Sequence, residues 1–420
     1  MSFSATDCLD GLATKVNAVN NTTRKRVLFV AEAVTLAHIT RPLVLAQSLD
    51  PQYFDIHFAC APGKDFLFSG TTFTRWPIQS IPEERFLRAL AKGTPIYDLR
   101  TLEDYVENDL QILDQVKPDL VVGDFRLSLA VSAPLRKTTY VALVNAHWSP
   151  FSTEKHFPVP ETRLTRMLGV HLASALFHRV QPLVFAYHAE PMNRLRERHS
   201  LAALGNLLNV YTYADYTLYA DVPSLVKTVD LPPNHRYIGP IFWSPSIDVP
   251  SWWNTLEDSK PIIYTTLGSS GQVQVLPAVI AALKELPVTV MLATAGRYSI
   301  RDFPANFWVA DYLPGEKVVQ RASLVVCSGG SATAYQALRE GIPILGIPSN
   351  MDQLLTMSAI ARAGAGILLR AGRMTRERFR RAVSKILGDE SYRAAARHVA
   401  HEIAKLDAPS NFRSFIGEVL

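Results

Sequence analysis

Apolar residues along this chain come in two rhythms that take turns. Short unbroken apolar runs, bounded by polar or turn residues, read as buried strands; longer stretches in which apolar positions return every three or four residues read as helices lying on them. From Arg26 the order is strand (26–31), loop, helix (40–49), strand (54–59), helices near 83–92 and 98–116, strand (119–123), a helix through about Arg136 and strand (140–144). A leucine-rich helical segment covers 163–198, and strands return near 216–219 and 235–238. Residues 240–261, PIFWSPSIDVPSWWNTLEDSKP, have no period and are rich in proline and tryptophan, as befits an interdomain connector. Beyond it the alternation restarts: strand 261–267, helix 275–286, strand 288–293, helix 315–321, strand 323–327, helix 332–339, strand 342–347, helix 353–363 and strand 366–369. Helices near 375–387, 391–405 and 410–419 close the chain. Such alternation predicts an α/β protein whose parallel sheets lie between helices, in two Rossmann-like halves facing a cleft. The expected division is a polar tail over 1–25, a first domain over 26–239, the connector over 240–260, a second domain over 261–390 and covering helices over 391–420.

Composition agrees with that division, since 420 residues exceed one ordinary core. Hydrophobic content of 48% against 19% charged describes a large buried interior and excludes disorder. A net charge of +5, with no block of lysine and arginine interleaved with aromatics, argues against nucleic acid as a partner. Cys8, Cys60 and Cys327 are too scattered for a disulfide framework or a zinc site, which points to a reducing, cytoplasmic setting. The apolar run after Arg24-Lys25-Arg26 is too short for a signal peptide, and the longest apolar stretch, 167–187, carries His171, His178 and Arg179, so no membrane span is expected. Three readings of the arginine-bearing segment 163–198 stay open: an acceptor wall, a face resting on an anionic membrane surface, and an amphipathic hairpin on the sheet.

In open α/β sheets ligands gather beyond the carboxyl ends of the strands, and polar residues recur there. His38 lies in the loop between the first strand and its helix, Asp124 directly after the 119–123 strand, and Asn145 with His147 after the 140–144 strand. In the second half Gly268-Ser269-Ser270-Gly271, Ser328-Gly329-Gly330-Ser331 and Asp352-Gln353 take the equivalent places. A carboxylate beside an imidazole fixes its tautomer and stabilises its cation, so His38 and Asp124 form a candidate general-base pair. Each is equally at home in an ordinary role, as a solvated helix residue and a helix cap. The glycine turn at 328–331, opening a helix, lets backbone approach a ligand and aims N–H groups and a positive dipole end at an anion, most naturally a phosphate. Glycine and serine also cap helices with no ligand present. Tyr312, before Leu313-Pro314, suits either base stacking or the core.

Other devices are missing. The first strand-to-helix loop, 31–37, contains no glycine, so a GxGxxG dinucleotide site fails where it belongs, and the chain has no GxxxxGK[ST], GxSxG or HExxH. What survives is a metal-free, phosphate-binding, two-domain enzyme.

Several segments, taken together and in order, resemble family 1 glycosyltransferases with the GT-B fold, over nearly the whole chain from about Val27. Tyr312-Leu313-Pro314 resembles that family's W-x-P, Ser328-Gly329-Gly330-Ser331-Ala332-Thr333 its H-G-G-x-G-T, Gln336-Ala337 its E-A, Gly341-Ile342-Pro343 its G-V-P, and Asp352-Gln353 its D-Q pair. In the first half Ala37-His38-Ile39-Thr40-Arg41-Pro42-Leu43 resembles the G-H-V-T-R-P-L of bacterial members, and Asp124 falls where the family's aspartate partners its catalytic histidine.

The resemblance implies an inverting hexose transfer from a nucleoside-diphosphate sugar, uridine diphosphate first among donors, to a hydroxyl of a small-molecule or lipid-like acceptor. His38 would be the general base and Asp124 its orienting partner. Tyr312 would stack on the nucleotide base, Gln336 would hold the ribose, and Gly268, Ser269 and the turn Ser328 to Ser331 would hold the diphosphate. Asp352 and Gln353 would grip the sugar, with Asn145 and His147 on the acceptor side. No metal or cofactor is implied, the nucleotide sugar being a co-substrate. Ser328 replaces the family's histidine and Gln336 its glutamate, so charge on the leaving diphosphate falls to backbone N–H groups, the helix end or Arg297. Alternatives are a nucleotide-sugar epimerase of similar build and a catalytically silent nucleotide-sugar binder.

Overall fold

The run Val27–Ala31 is apolar at every position, and all five residues are buried, as a central strand covered on both faces requires. In the computed structural model, which describes residues 24–420 apart from 162, 258, 269, 270 and 299–301, this strand sits in the middle of a parallel sheet. Its members are β1 (Lys25–Ala31), β2 (Phe54–Cys60), β3 (Thr74–Pro77), β4 (Leu120–Asp124), β5 (Thr139–Val144), β6 (Tyr216–Tyr219) and β7 (His235–Tyr237), in the order β3-β2-β1-β4-β5-β6-β7. A second parallel sheet holds β8 (Ile262–Thr266), β9 (Thr289–Ala293), β10 (Phe307–Ala310), β11 (Leu324–Cys327), β12 (Ile344–Gly346) and β13 (Gly366–Leu368), in the order β10-β9-β8-β11-β12-β13. Both sheets reverse their winding beside the first strand, between β1 and β4 and between β8 and β11. Crevices at strand ends open at such points.

The expected alternation is present, with differences at its edges. β3 and β10 were absent from the sequence pattern because each is a four-residue edge strand, only partly buried and without a long apolar run. The first helix spans Leu36–Ser48, four residues earlier than its pattern suggests. Its N-cap, Thr35, is a capping residue type, but it makes no side-chain capping bond and no glutamate or glutamine follows three residues on. Most of the polar tail expected over 1–25, with Cys8, lies outside the described residues. Among the described residues no helix is long and apolar enough to cross a membrane.

The closing helices divide their allegiance. Glu390–Ala404 packs on the helix Ser331–Arg339 of the second half, whereas Ala408–Val419 returns to the first, burying Phe412, Phe415 and Ile416 with Phe29 and Leu45. The connector is packed too. Trp252 meets Trp308 with ring centroids 5.7 Å apart, and Arg321 donates to the carbonyls of Trp253 and Leu256. One hydrophobic cluster joins Tyr219, Val222 and Leu225 of the first half to Val318, Tyr335 and Leu338 of the second, so the halves meet through a shared core.

Candidate active site

Residue Ala31 of β1 pairs in register with Asp124 of β4, which brings the two strand exits side by side. Asp124 is itself the last residue of β4 and fully buried, and His38 lies in the first turn of the helix Leu36–Ser48, not in a loop. His38 Nδ1 is 2.8 Å from Asp124 Oδ1, with one fifth of the His38 side chain accessible from the cleft. The imidazole lies parallel to the ring of Phe125, centroids 4.8 Å apart. Phe125 adopts φ +57°, an uncommon conformation for a bulky residue and the kind of local strain that functional sites retain. The loop is anchored behind by the fully buried Arg126, whose Nε donates to Asp109 at 2.9 Å and whose Nη1 donates to Glu32 at 3.3 Å.

Arg41, one helical turn beyond His38, was not singled out by sequence reasoning. It is buried, and it grips Asp124 with both arms, Nε to Oδ2 at 2.9 Å and Nη2 to Oδ1 at 2.7 Å. Its Nη1 donates to Asn145 Oδ1 at 2.7 Å. Burial disfavours the guanidinium, but Asp124, Asp352 and Asp221 outweigh it and hold Arg41 above its ordinary range. Asn145 Nδ2 faces Asp221 Oδ1 at 3.4 Å, and that oxygen also accepts from the Tyr335 hydroxyl at 2.6 Å. A chain of hydrogen bonds therefore runs from His38 and Asp124 through Arg41, Asn145 and Asp221 to Tyr335, on the helix opened by the glycine turn. The spacing of His38 and Arg41 on one helix face carries a signal for Arg41, and Asp221, two residues beyond β6, obeys the strand-end rule that picked out Asp124.

On the other side of the cleft the glycine turn is built as the sequence suggests. Gly329 has φ +86°, and a Cβ there would stand 2.4 Å from Met357 Cγ; Gly330 caps the helix Ser331–Arg339, and a Cβ on it would meet nothing within 4 Å. Open space thus lies directly before the first-turn N–H groups, which have no acceptors within their own helix. Ser328 is buried, as is Cys327, whose thiol is pushed up to about 12 by burial. Gly268 has φ +61° and open space before it, and Arg297 Nη1 donates to the carbonyls of Gly268 and Gly271, each at 3.1 Å. Ser269 lies outside the described residues. Tyr312 presents an exposed ring while its hydroxyl reaches Ala295 O at 3.4 Å. Gln336 is buried and donates from Nε2 to Trp243 O in the connector at 2.5 Å.

Asp352 stands in the first turn of the helix Met351–Arg362 and is bonded across the cleft. His147 Nε2 lies 2.9 Å from its Oδ1, and Trp148 Nε1 donates to the same oxygen at 3.0 Å. Although 44% of its side chain is reachable by solvent, the carboxylate is ringed by both halves. That enclosure opposes ionisation, but hydrogen bonding from His147 and Trp148 and the charge effects of His147 and His38 overcome it, holding the Asp352 carboxyl well below the usual range. Gln353 is turned inward, its Oε1 accepting from Ser349 N at 2.9 Å and Ser349 Oγ at 3.0 Å, so it shapes the loop before the helix. Asn145 and His147, expected on the acceptor side, are both buried links between elements. Their positions after β5 put them at the seam between the halves, where polar groups bury only if paired.

Comparison with known proteins matches residues 269–415 to the family described as Erythromycin biosynthesis protein CIII-like, C-terminal domain. The chain is 50% identical over 378 residues to the PGL/p-HBAD biosynthesis glycosyltransferase of Mycobacterium tuberculosis (strain ATCC 25177 / H37Ra), covering 90% of this chain and 88% of that protein. The PGL/p-HBAD biosynthesis rhamnosyltransferase of Mycobacterium bovis (strain BCG / Pasteur 1173P2) is likewise 50% identical over 378 residues, 90% of this chain and 84% of that protein. Among solved structures, Spinosyn Rhamnosyltransferase SpnG complexed with thymidine diphosphate gives a TM-score of 0.64 at 21% identity, covering 93% of this chain and 99% of the other. At that identity the likeness is one of fold.

Proposed function

Since this chain belongs to the family of the PGL/p-HBAD biosynthesis glycosyltransferases, we propose that it moves a hexose from a nucleoside-diphosphate sugar to an acceptor hydroxyl, using His38 as general base. Membership in a transferase family, with the GT-B fold, leaves the epimerase reading without support. The observation that carries the proposal is the His38 Nδ1 to Asp124 Oδ1 contact of 2.8 Å at a cleft whose far wall is the glycine turn and Asp352.

An imidazole protonated at Nδ1 donates to Asp124 and keeps Nε2 free to take the proton of the acceptor hydroxyl. The acceptor oxygen then attacks the anomeric carbon from the face opposite the diphosphate, so the C–O bond to the leaving group breaks as the new one forms and the configuration inverts. Negative charge gathers on the departing diphosphate. The first-turn N–H groups of the helix Ser331–Arg339 are aimed at it, with Arg297 beside the adjoining Gly268 loop. Tyr312 offers its exposed ring to the nucleotide base. Gln336, with one amide hydrogen on Trp243, keeps its other N–H and its oxygen for ribose hydroxyls, and Asp352 reaches the sugar by sharing its carboxylate with His147 and Trp148.

We take the base to be a pyrimidine: uridine is the expectation from sequence, and thymidine diphosphate is the ligand named for the structural neighbour. Rhamnose, which names one relative, is the first sugar to offer, and an acceptor of the PGL/p-HBAD kind is the first partner. The buried free thiols Cys60 and Cys327 suit a reducing, cytoplasmic setting. The test is incubation with uridine- and thymidine-diphosphate sugars and acceptor, followed by mass spectrometry and determination of the anomeric configuration. A new glycoside of inverted configuration is expected. Bound donor from which neither acceptor nor water ever receives sugar would make the chain a silent binder and defeat the proposal.

A further inference from the structure

A helix lying on a globular protein ordinarily turns its apolar stripe inward and its polar face to water. The helix Val170–Arg198 breaks that rule. Its inward face is apolar, with Ala173, Phe185, Ala189, Met192 and Leu195 buried, but so is the outward face of its first half. Leu172, Leu176, Leu183 and Tyr187 are all exposed, and with Arg179 they fall within roughly 80° of arc at 3.6 residues per turn. Ala175, Pro182 and Ala186, also exposed, widen the strip along one edge, leaving Arg179 the only charge on it. At the helix start the strip continues into Met167 and Leu168. These two and the four on the helix make up six of the eleven large apolar side chains exposed among the described residues, at 39% to 82% of full exposure. An apolar surface so concentrated marks a site of contact.

Charge decides what covers it. From 163 to 189 the sequence holds three arginines and no aspartate or glutamate. A further basic group, the exposed Arg373 of the second half, brings its Nη2 to Gly169, where a Cβ would lie 3.2 Å away. A second copy of the chain, meeting this face about a two-fold axis, would set Arg179 near its own counterpart and basic surface against basic surface. An anionic lipid surface takes the apolar side chains among its acyl chains and the arginines among its headgroups. We propose that the outward face of Val170–Arg198, with the corner at Met167 and Leu168, docks this enzyme on an anionic membrane.

The placement has a consequence for the site. On the inward face Phe185 meets Phe157 at 4.9 Å between centroids, Phe157 meets Trp148 at 5.5 Å, and Trp148 donates to Asp352. Docking through this helix therefore leaves only the helix and the rings of Phe157 and Trp148 between the lipid surface and Asp352, on the side from which a membrane-borne acceptor would come. The docking itself stands whatever the acceptor proves to be.

The test is co-sedimentation of the full chain with vesicles of phosphatidylcholine, with and without phosphatidylglycerol. Binding is expected with phosphatidylglycerol, weaker without it and weakened by salt. The double variant Leu172→Glu, Leu183→Glu should bind those vesicles about tenfold or more less tightly. Its thermal unfolding should match the parent, because both positions are exposed. A parent that stays in solution with anionic vesicles overturns the proposal, as does a double variant that binds them equally well. Light scattering that shows a dimer abolished by the same pair of changes would assign the face to a second copy instead and overturn it too.

Discussion

Arg41 and Asp124 face each other through two hydrogen bonds of 2.9 and 2.7 Å, both side chains buried, and the oxygen that takes the shorter one is also the oxygen His38 meets. The carboxylate that orients the imidazole is thus itself held in place by a guanidinium from the same helix as the imidazole.

That arrangement separates two substitutions which a simple histidine–aspartate pair would make alike. His38→Ala should lower kcat by about 10²- to 10⁴-fold, the usual worth of a general base. It leaves Asp124 paired with Arg41, so stability and the thermal shift given by donor nucleotide should be preserved. Asp124→Asn should lose comparable activity and, by leaving Arg41 buried without its counter-charge, about 3–5 kcal/mol of stability as well. Urea unfolding of the two variants side by side checks the difference, and equal stability would show that Arg41 does not depend on Asp124.

Arg41→Lys keeps the charge but not the two-armed geometry. It should hold the fold better than Arg41→Gln while still losing activity, because Asp124 is no longer fixed and Asn145 loses the donor at 2.7 Å. The expected signature is a fall in kcat with little change in donor KM. A rise in donor KM alone would place the effect on the nucleotide side.

The two glycines of the turn should respond in opposite ways. Gly329→Ala puts a Cβ 2.4 Å from Met357 Cγ at φ +86°, and should destabilise the fold by about 1–3 kcal/mol. Gly330→Ala has room and an ordinary extended backbone, so its stability should match the parent. Its methyl group stands where the diphosphate is proposed to lie, and donor affinity should fall about tenfold or more. Calorimetric titration with uridine and thymidine diphosphates checks this, and unchanged affinity would move the phosphates elsewhere.

Tyr335→Phe removes the hydrogen bond that links the glycine-turn helix to Asp221 of the first half. A bond to a charged acceptor contributes about 1.5–3 kcal/mol, and that loss of stability is expected in denaturant titration. An effect below about 0.5 kcal/mol would mean that this bond adds little to the seam.

The contact of His147 and Trp148 with Asp352 carries a pH dependence. Because the folded protein holds this carboxyl below its unfolded value of about 3.9, its contribution is fully present above that pH and is lost as pH falls through the range beneath it. Asp352→Asn should therefore be less stable than the parent at neutral pH, by an amount that stays level down to about pH 4 and shrinks below it. Paired unfolding curves across that range provide the check. A gap that grows as pH falls below about 4 would contradict a carboxyl held ionised by these contacts.

Much of the site was legible because it obeys rules that act on neighbouring residues. Gly329 had to be glycine for a backbone at φ +86°, whereas the fold alone does not demand glycine at 330. His38 and Asp124 were legible as strand-exit residues in a parallel alternation. Arg41 was harder to read, since an arginine inside the apolar run Ile39 to Leu45 resembles a surface residue until its partner, eighty-three positions away, is known. Asn145 and His147 passed for open acceptor groups because burial at a seam between two halves leaves no local mark.

The chain by itself determined the two parallel sheets and the turns that join their strands to helices, since apolar period, glycine conformation and turn residues act over a few positions. Only the tertiary structure decided that Arg41 grips Asp124, that Tyr335 reaches Asp221, that His147 holds Asp352, and that Gln336 reaches Trp243. Those pairings cross dozens to hundreds of residues. They exist because burying a charged or polar group is tolerable only where packing brings it a partner, a condition set by the folded arrangement and written at no single place in the sequence.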